Sequence, residues 1–144
     1  MMTRRVLGQC VLLLALLWAA PVLAEGTESA YAQGWRDVQA AVGEFAVAQL
    51  RYPRGPQRTA ALKQARDRYQ AVLAQIERSP PPPTMTVLHW ELLPLNEDLL
   101  AGMSTVVDGE TTGDPVAIEL GWAWIEQVRG QMRRTLRGES AGAR

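Results

Sequence analysis

Cysteine and histidine each occur once in this 144-residue chain, as Cys10 and His89. Cys10 lies in an N-terminal segment that we expect to be removed, so the mature chain has no disulfide, thiol or cysteine metal ligand. With a single histidine, a Ser-His-Asp or Cys-His arrangement would have to be built around His89. Glycine-rich phosphate loops and Glu-x-x-His pairs are also absent. These absences favour a non-enzymatic protein and predict no catalytic residue, no metal site and no cofactor.

Basic residues are missing between Pro80 and Val128, a stretch that holds eight carboxylates. The preceding stretch from Arg36 to Arg78 holds eight basic and four acidic residues, so the two parts complement each other. Arg4 and Arg5 are two of the 15 basic residues, which leaves 13 basic and 15 acidic side chains in the rest of the chain. This balance gives no overall positive field, and we expect no nucleic-acid partner.

The N-terminus has the pattern of an export signal. Arg4 and Arg5 precede an apolar run from Val6 to Ala20, and small residues at positions 22 and 24 place the expected cleavage between Ala24 and Glu25. The alternative is an uncleaved membrane anchor, but Gln9 and Pro21 leave an apolar core shorter than the about 20 residues of a good span. We therefore predict a signal peptide over residues 1–24 and a periplasmic or secreted protein.

Four later segments have helical periodicity, and strand signals are absent. Apolar residues recur every three or four positions in each segment, which places them on one helix face. The predicted helices cover about Glu28–Tyr52, Gln57–Arg78, Thr84–Val107 and a segment that begins with Asp114 as N-cap and Pro115 as first helical residue. Four amphipathic helices with short loops pack most simply as an up-down-up-down antiparallel bundle. We therefore predict an all-α four-helix bundle over residues 25–138, followed by a disordered tail at 139–144.

Two local signals refine this topology. Pro94 lies inside the third helix, where it removes a backbone hydrogen bond, so we expect a kink or a break there. Asp108-Gly109 and Thr112-Gly113 are predicted to form the next loop. In the up-down topology this loop lies at the same end as the first one. We therefore expect three arginines of the first loop region to lie near three carboxylates of the other: Arg51, Arg54 and Arg58 near Asp108, Glu110 and Asp114.

Two polar residues fall on apolar helix faces, where burial is costly without a partner. Asn96 is on the face of the third helix, and Arg129 is on the face of the fourth. Both lie close to the expected kink at Pro94, with His89, Glu97 and Trp122 nearby. The first functional alternative is therefore a small-ligand-binding or small catalytic bundle with a polar pocket formed by these five residues.

A more remote alternative is a b-type haem held in the bundle. His89 would supply one axial ligand, and Met132 on the fourth helix is the only methionine that can approach from the opposite side. The chain has no Cys-x-x-Cys-His for covalent attachment of haem.

Tryptophan positions indicate a contact surface. Trp90 and Trp124 fall away from the apolar faces of their helices, so we predict that both lie at the edge of the bundle or outside it. With Leu93 and Leu120 they would form an exposed apolar patch, which often marks a partner surface. The main hypothesis is an exported accessory or interaction protein that binds another exported or envelope protein. A homodimer is an alternative, and membrane contact is expected only through the N-terminal segment if it is not cleaved.

Overall fold

The computed structural model describes residues 27–138, and this part of the chain is entirely helical. It contains four α-helices and no strand: α1 (Thr27–Arg51), α2 (Pro56–Arg78), α3 (Thr86–Thr112) and α4 (Pro115–Leu136). A single 3₁₀ turn, Pro83–Met85, precedes α3. The architecture is consistent with the predicted four-helix bundle. The predicted signal peptide at 1–24 and the predicted tail at 139–144 lie outside the described residues.

Helix starts follow the local sequence signals. Gly55 precedes α2 with a φ of +148°, a conformation that favours glycine, and Pro56 occupies the first helical position. At the start of α4 the Asp114 side chain accepts hydrogen bonds from the backbone N–H groups of Val116 and Ala117, at 2.9 and 3.3 Å. The predicted N-cap at Asp114 and the proline at position 115 are both confirmed.

The third helix is longer than predicted, and it continues through Pro94. A break at Pro94 was therefore the wrong alternative, since the exposed proline ring is accommodated within a continuous helix, and a kink there stays a prediction. The predicted loop at Asp108-Gly109 was also wrong. The helix ends only at Gly113, which adopts a φ of +70° and donates its N–H to the carbonyl of Gly109.

Glycine explains why this last part of α3 stays helical. A Cβ atom at Gly109 would lie 2.8 Å from the backbone nitrogen of Ile118, and a Cβ atom at Gly121 would lie 2.8 Å from that of Val106. Such distances leave no room for a side chain, so α3 and α4 approach each other at backbone distance. Gly109 is therefore a helix-packing residue and not a turn residue.

The core lies between two pairs of helices, α1–α2 and α3–α4, and each pair, joined by a short loop, is called a hairpin below. Contacts are most extensive between α3 and α4 and between α1 and α2, and α2 also packs on α3. Residues from all four helices meet in one buried cluster, whose larger members are Phe45, Leu62, Tyr69, Leu73, Ile76, Leu99, Met103, Val106 and Ile125. None of the described helices combines the length and apolar character that crossing a membrane requires.

Candidate functional site

His89 is buried at the start of α3 and is bonded to α1. Its side chain is 1 % exposed, and its Nδ1 atom lies 2.6 Å from the hydroxyl of Tyr31. Burial lowers the pKa of His89, because a charged imidazolium loses its hydration. Burial likewise raises the pKa of Tyr31, and a hydrogen bond with Trp35 partly offsets this. The pair is therefore neutral around pH 7 and links two helices.

Aromatic rings surround His89. The ring centroids of Tyr31, Trp35 and Trp90 lie 5.7, 6.4 and 4.9 Å from that of the imidazole. A porphyrin on this histidine would have to displace these rings. Met132, the other axial ligand of the haem hypothesis, is half-buried and packs against the hydrophobic core. In the described part of the chain, no three His, Cys, Asp or Glu side chains form a group that could hold a metal ion.

Asn96 is buried between α2 and α3 and has its own partners. The Tyr69 hydroxyl donates to the Asn96 side-chain oxygen at 2.6 Å and approaches the backbone carbonyl of the same residue at 3.1 Å. The Asn96 amide nitrogen donates to the carbonyl of Leu92 at 2.8 Å. Burial raises the pKa of Tyr69, so this hydroxyl stays protonated and keeps donating. The side-chain oxygen and nitrogen of Asn96 thus each have a partner within the protein.

Each of the other three residues of the predicted pocket has its own, separate environment. Arg129 is 9 % exposed and donates to Glu126 on its own helix at 2.6 Å. Glu97 is exposed. Trp122 is half-buried against Phe45, with ring centroids 5.4 Å apart, and its indole N–H has no acceptor among the described residues. No hydrogen bond or ring contact joins any two of the five predicted pocket residues within the described chain.

Two surface depressions lie elsewhere. One of about 400 Å³ is at the loop end of the bundle, and its lining includes Arg54, Gly55 and Glu110. The other, of about 570 Å³, lies between α1 and α2, with Glu44 and Arg68 on its rim. Neither is lined by a residue of the predicted pocket.

A mostly buried ion pair joins α2 and α3 beside the first depression. The Nη2 atom of Arg58 lies 3.0 Å from Oε1 of Glu110, and the two side chains are 12 % and 4 % exposed. Their alignment is poor for a hydrogen bond, and the Nε atom of Arg58 has no acceptor in the described chain. Of the three arginines and three carboxylates expected to meet at this end, Arg58 and Glu110 are the pair that forms an ion pair within the described chain. Because Arg58 neutralises Glu110, Arg54 is the charged lining residue of this depression that has no ion pair among the described residues.

The surface residues singled out from the sequence have unequal exposure. Trp90 is 60 % exposed, Leu120 is 61 % exposed and Trp124 is 42 % exposed. Leu93 is half-buried and packs against the core, so it contributes less to the surface than predicted. Val116, which sequence reasoning missed, is 62 % exposed. The signal was present in its spacing, because Val116 precedes Leu120 by one helical turn, as Leu120 precedes Trp124.

Trp90 and Trp124 lie at different heights on the bundle. A Cβ atom at Gly102 of α3 would lie 2.9 Å from Ile125 of α4, so Trp124 is level with Gly102. Trp90 precedes Gly102 by 12 residues, which corresponds to about 18 Å of helix. The two tryptophans therefore belong to separate groups of exposed apolar side chains: Val87 and Trp90 near the start of α3, and the stripe Val116, Leu120 and Trp124 on α4. Val47 and Leu50 on α1 and Leu136 at the end of α4 are exposed as well.

Comparisons with protein-family models, with curated proteins and with solved structures find no match. The chemistry and exposure of this chain's own residues are therefore the basis for a functional conclusion.

Proposed function

We propose that the chain is an exported, non-enzymatic interaction protein that binds another exported or envelope protein. The observation that carries this proposal is the exposure of Trp90 and Trp124 together with their apolar neighbours. Tryptophan is costly to leave in water and is enriched where proteins bind each other. The N-terminal pattern of two arginines, an apolar run and small residues before Glu25 supports export.

An up-down-up-down arrangement of the helices is part of the proposal. Gly34 near the start of α1 meets Ile76 near the end of α2, and Gly109 near the end of α3 meets Ile118 near the start of α4. The ion pair between Arg58 and Glu110 likewise joins the start of α2 to the end of α3. These contacts favour antiparallel neighbours throughout.

The polar-pocket alternative has less support than the surface. His89, Asn96 and Arg129 are bonded to Tyr31, Tyr69 and Glu126 respectively. A ligand would have to replace these internal bonds. A partner that binds the exposed apolar side chains around Trp90 and Trp124 would replace no internal hydrogen bond.

Site-specific photocrosslinking in the cell that makes the protein tests this proposal. A photoreactive phenylalanine analogue is placed at Leu120, at Trp90 and, as a control, at Gln70 on the exposed side of α2. We expect a defined heavier species from at least one of the first two positions and none from the control. The attached protein should itself carry an export signal, and the mass of the uncrosslinked chain should begin at Glu25.

Two kinds of result would contradict the proposed function. Crosslinks that form equally at Gln70, or at none of the three positions, contradict an interaction surface at these residues. A chain that retains residues 1–24 and stays in the cytoplasm contradicts export.

A further inference from the structure

The stripe on α4 is an apolar face that no other described helix covers. Val116, Leu120 and Trp124 are spaced by four residues, so they lie along one side of the helix over about 12 Å. This length matches two to three turns of a second helix packed alongside. Apolar stripes of this kind accept the apolar face of an amphipathic helix, which inserts side chains at positions i, i+3 or i+4, and i+7.

Carboxylates dominate the surface around the stripe. The α3–α4 hairpin holds every acidic residue between Pro80 and Val128, and its first basic residue is Arg129. Glu110 is paired with Arg58, and Glu126 with Arg129. The exposed residues Glu91, Glu97, Asp98, Asp108 and Glu119 have no ion-pair partner among the described residues. Asp108 and Glu119, which lie beside the stripe, are thus not neutralised by an ion pair among the described residues, and the basic residues of α4 begin only beyond Trp124, at Arg129.

A second copy of the chain fits this surface poorly. If two stripes paired antiparallel about Leu120, the Glu119 side chains of the two copies would lie side by side, because each is one residue from the centre of the pairing. Like charges in contact are unfavourable, so this self-complementary arrangement is disfavoured. The face therefore favours a partner of opposite charge.

We propose that the α4 stripe binds an amphipathic helix of another protein that carries lysine or arginine beside its apolar positions. The apolar side chains of the partner would pack on Leu120 and Trp124, and its basic side chains would reach Glu119 and Asp108. This inference depends on the proposed function, since it names the class of partner for the same surface. Electrostatic attraction would speed the encounter, and apolar packing would hold the complex.

Two designed peptides test the charge requirement. Both are 14-residue helices with leucine at positions i, i+3, i+4 and i+7. One carries lysine at its other positions and the second carries glutamate. The ¹⁵N-labelled chain, purified as the cell processes it and without refolding, is titrated with each peptide. We expect the lysine peptide to bind, with the largest amide shifts around Leu120 and Trp124, and the glutamate peptide to bind at least about tenfold more weakly.

Variants test the position of the site. Leu120→Ala and Trp124→Ala should each weaken binding of the lysine peptide about tenfold, because truncated central anchors cost most of the affinity. Leu50→Ala, at a leucine on α1 whose exposure lies between those of Leu120 and Trp124, is the matched control and should leave binding unchanged. Because all three side chains are exposed, folding should be retained. The comparison of the lysine and glutamate peptides uses the wild-type chain, so it does not depend on whether the variants fold.

Several results would overturn the inference. Equal binding of both peptides, amide shifts centred on another helix, or an equal loss with Leu50→Ala would each contradict it, as would a homodimer in native mass spectrometry that buries Trp124. The crosslinking experiment separates this failure from failure of the proposed function. A defined crosslinked partner together with no preference for the lysine peptide would retain the interaction protein and reject the basic helix.

Discussion

At the scale of single residues, the buried polar side chains are each bonded to a partner on a different helix or a neighbouring turn. His89 shows how burial affects protonation. Its buried environment favours the neutral imidazole, and its hydrogen bond with Tyr31 requires no charge. Protonating this histidine in the folded protein would place an uncompensated charge among aromatic rings. The unfolded chain can accept the same proton freely.

Stability should therefore fall as the pH is lowered through the ordinary pKa of histidine. The pKa of His89 is lower in the folded state than in the unfolded state. The stabilisation from the buried neutral His89 is therefore fully present above about pH 6.5 and is lost as the pH falls below that value. One proton gives a slope of at most about 1.4 kcal/mol per pH unit. Chemical denaturation between pH 7.5 and 5.5 should show this slope in the wild type and a smaller one in His89→Gln.

Tyr31→Phe is the matched control, since it removes the hydrogen bond and keeps the histidine buried. This variant should be less stable at every pH but should retain a positive slope. Identical pH profiles for the wild type and His89→Gln would show that His89 is not the group that titrates.

At the scale of helices, glycine determines how closely α3 and α4 pack. A side chain at Gly121 would meet the backbone nitrogen of Val106 at 2.8 Å and the carbonyl oxygen of Gly102 at 3.0 Å. Backbone atoms cannot rotate aside as a flexible side chain can. Gly121→Ala should therefore separate the helices and lower the free energy of unfolding by about 1–3 kcal/mol.

Gly43 in α1 provides the control for this substitution. Nothing lies within 4 Å of the position that its Cβ would take. Gly43→Ala should raise the free energy of unfolding by about 0.5–1 kcal/mol, because alanine is the better helix former. Thermal or urea denaturation of the two variants measures both effects. Similar changes in both would contradict a special packing role for Gly121.

These helices also show which features the sequence alone can predict. The four periodic segments and the start of α4 at Asp114 are encoded by neighbouring residues, so local pattern is sufficient. Gly109 is different, because Asp-Gly is a turn signal, yet Gly109 lies inside α3 and packs against Ile118 of α4. Similarly, the apolar face marks Asn96 for burial, but its partner Tyr69 is 27 residues away. The partner of His89 is 58 residues away. Which side chains form hydrogen bonds between helices depends on how the helices pack, and a local sequence pattern does not determine that packing.

At the scale of the whole molecule, polar side chains bridge the two hairpins. His89 and Asn96 on α3 are bonded to Tyr31 on α1 and Tyr69 on α2, and Glu110 is paired with Arg58 on α2. Apolar contacts alone tolerate small shifts between helices, whereas a buried hydrogen bond is satisfied in only one arrangement. These links favour a single register between the hairpins.

A double-mutant cycle on Tyr69 and Asn96 measures one such link. Tyr69→Phe should lower the free energy of unfolding by about 1–3 kcal/mol, because it leaves the buried Asn96 side-chain oxygen without a donor. Asn96→Leu should destabilise the Tyr69→Phe variant less than it destabilises the wild type. In the double variant both the hydroxyl and the amide are gone, so no buried polar group is left without its partner. Urea denaturation of the four proteins gives the coupling energy. Strictly additive effects would show that the bond contributes nothing to docking of the hairpins.

The short connections within the hairpins also bear on how the chain folds. Only residues 52–55 separate α1 from α2, and only residues 113–114 separate α3 from α4. Closing such short loops costs little chain entropy, and the most extensive helix contacts are those between neighbours in sequence. We expect each hairpin to collapse independently and early, before the extended proline segment between them brings the two halves together. The rate-determining event would then be the search for the one alignment in which both tyrosines reach their hydrogen-bond partners on α3.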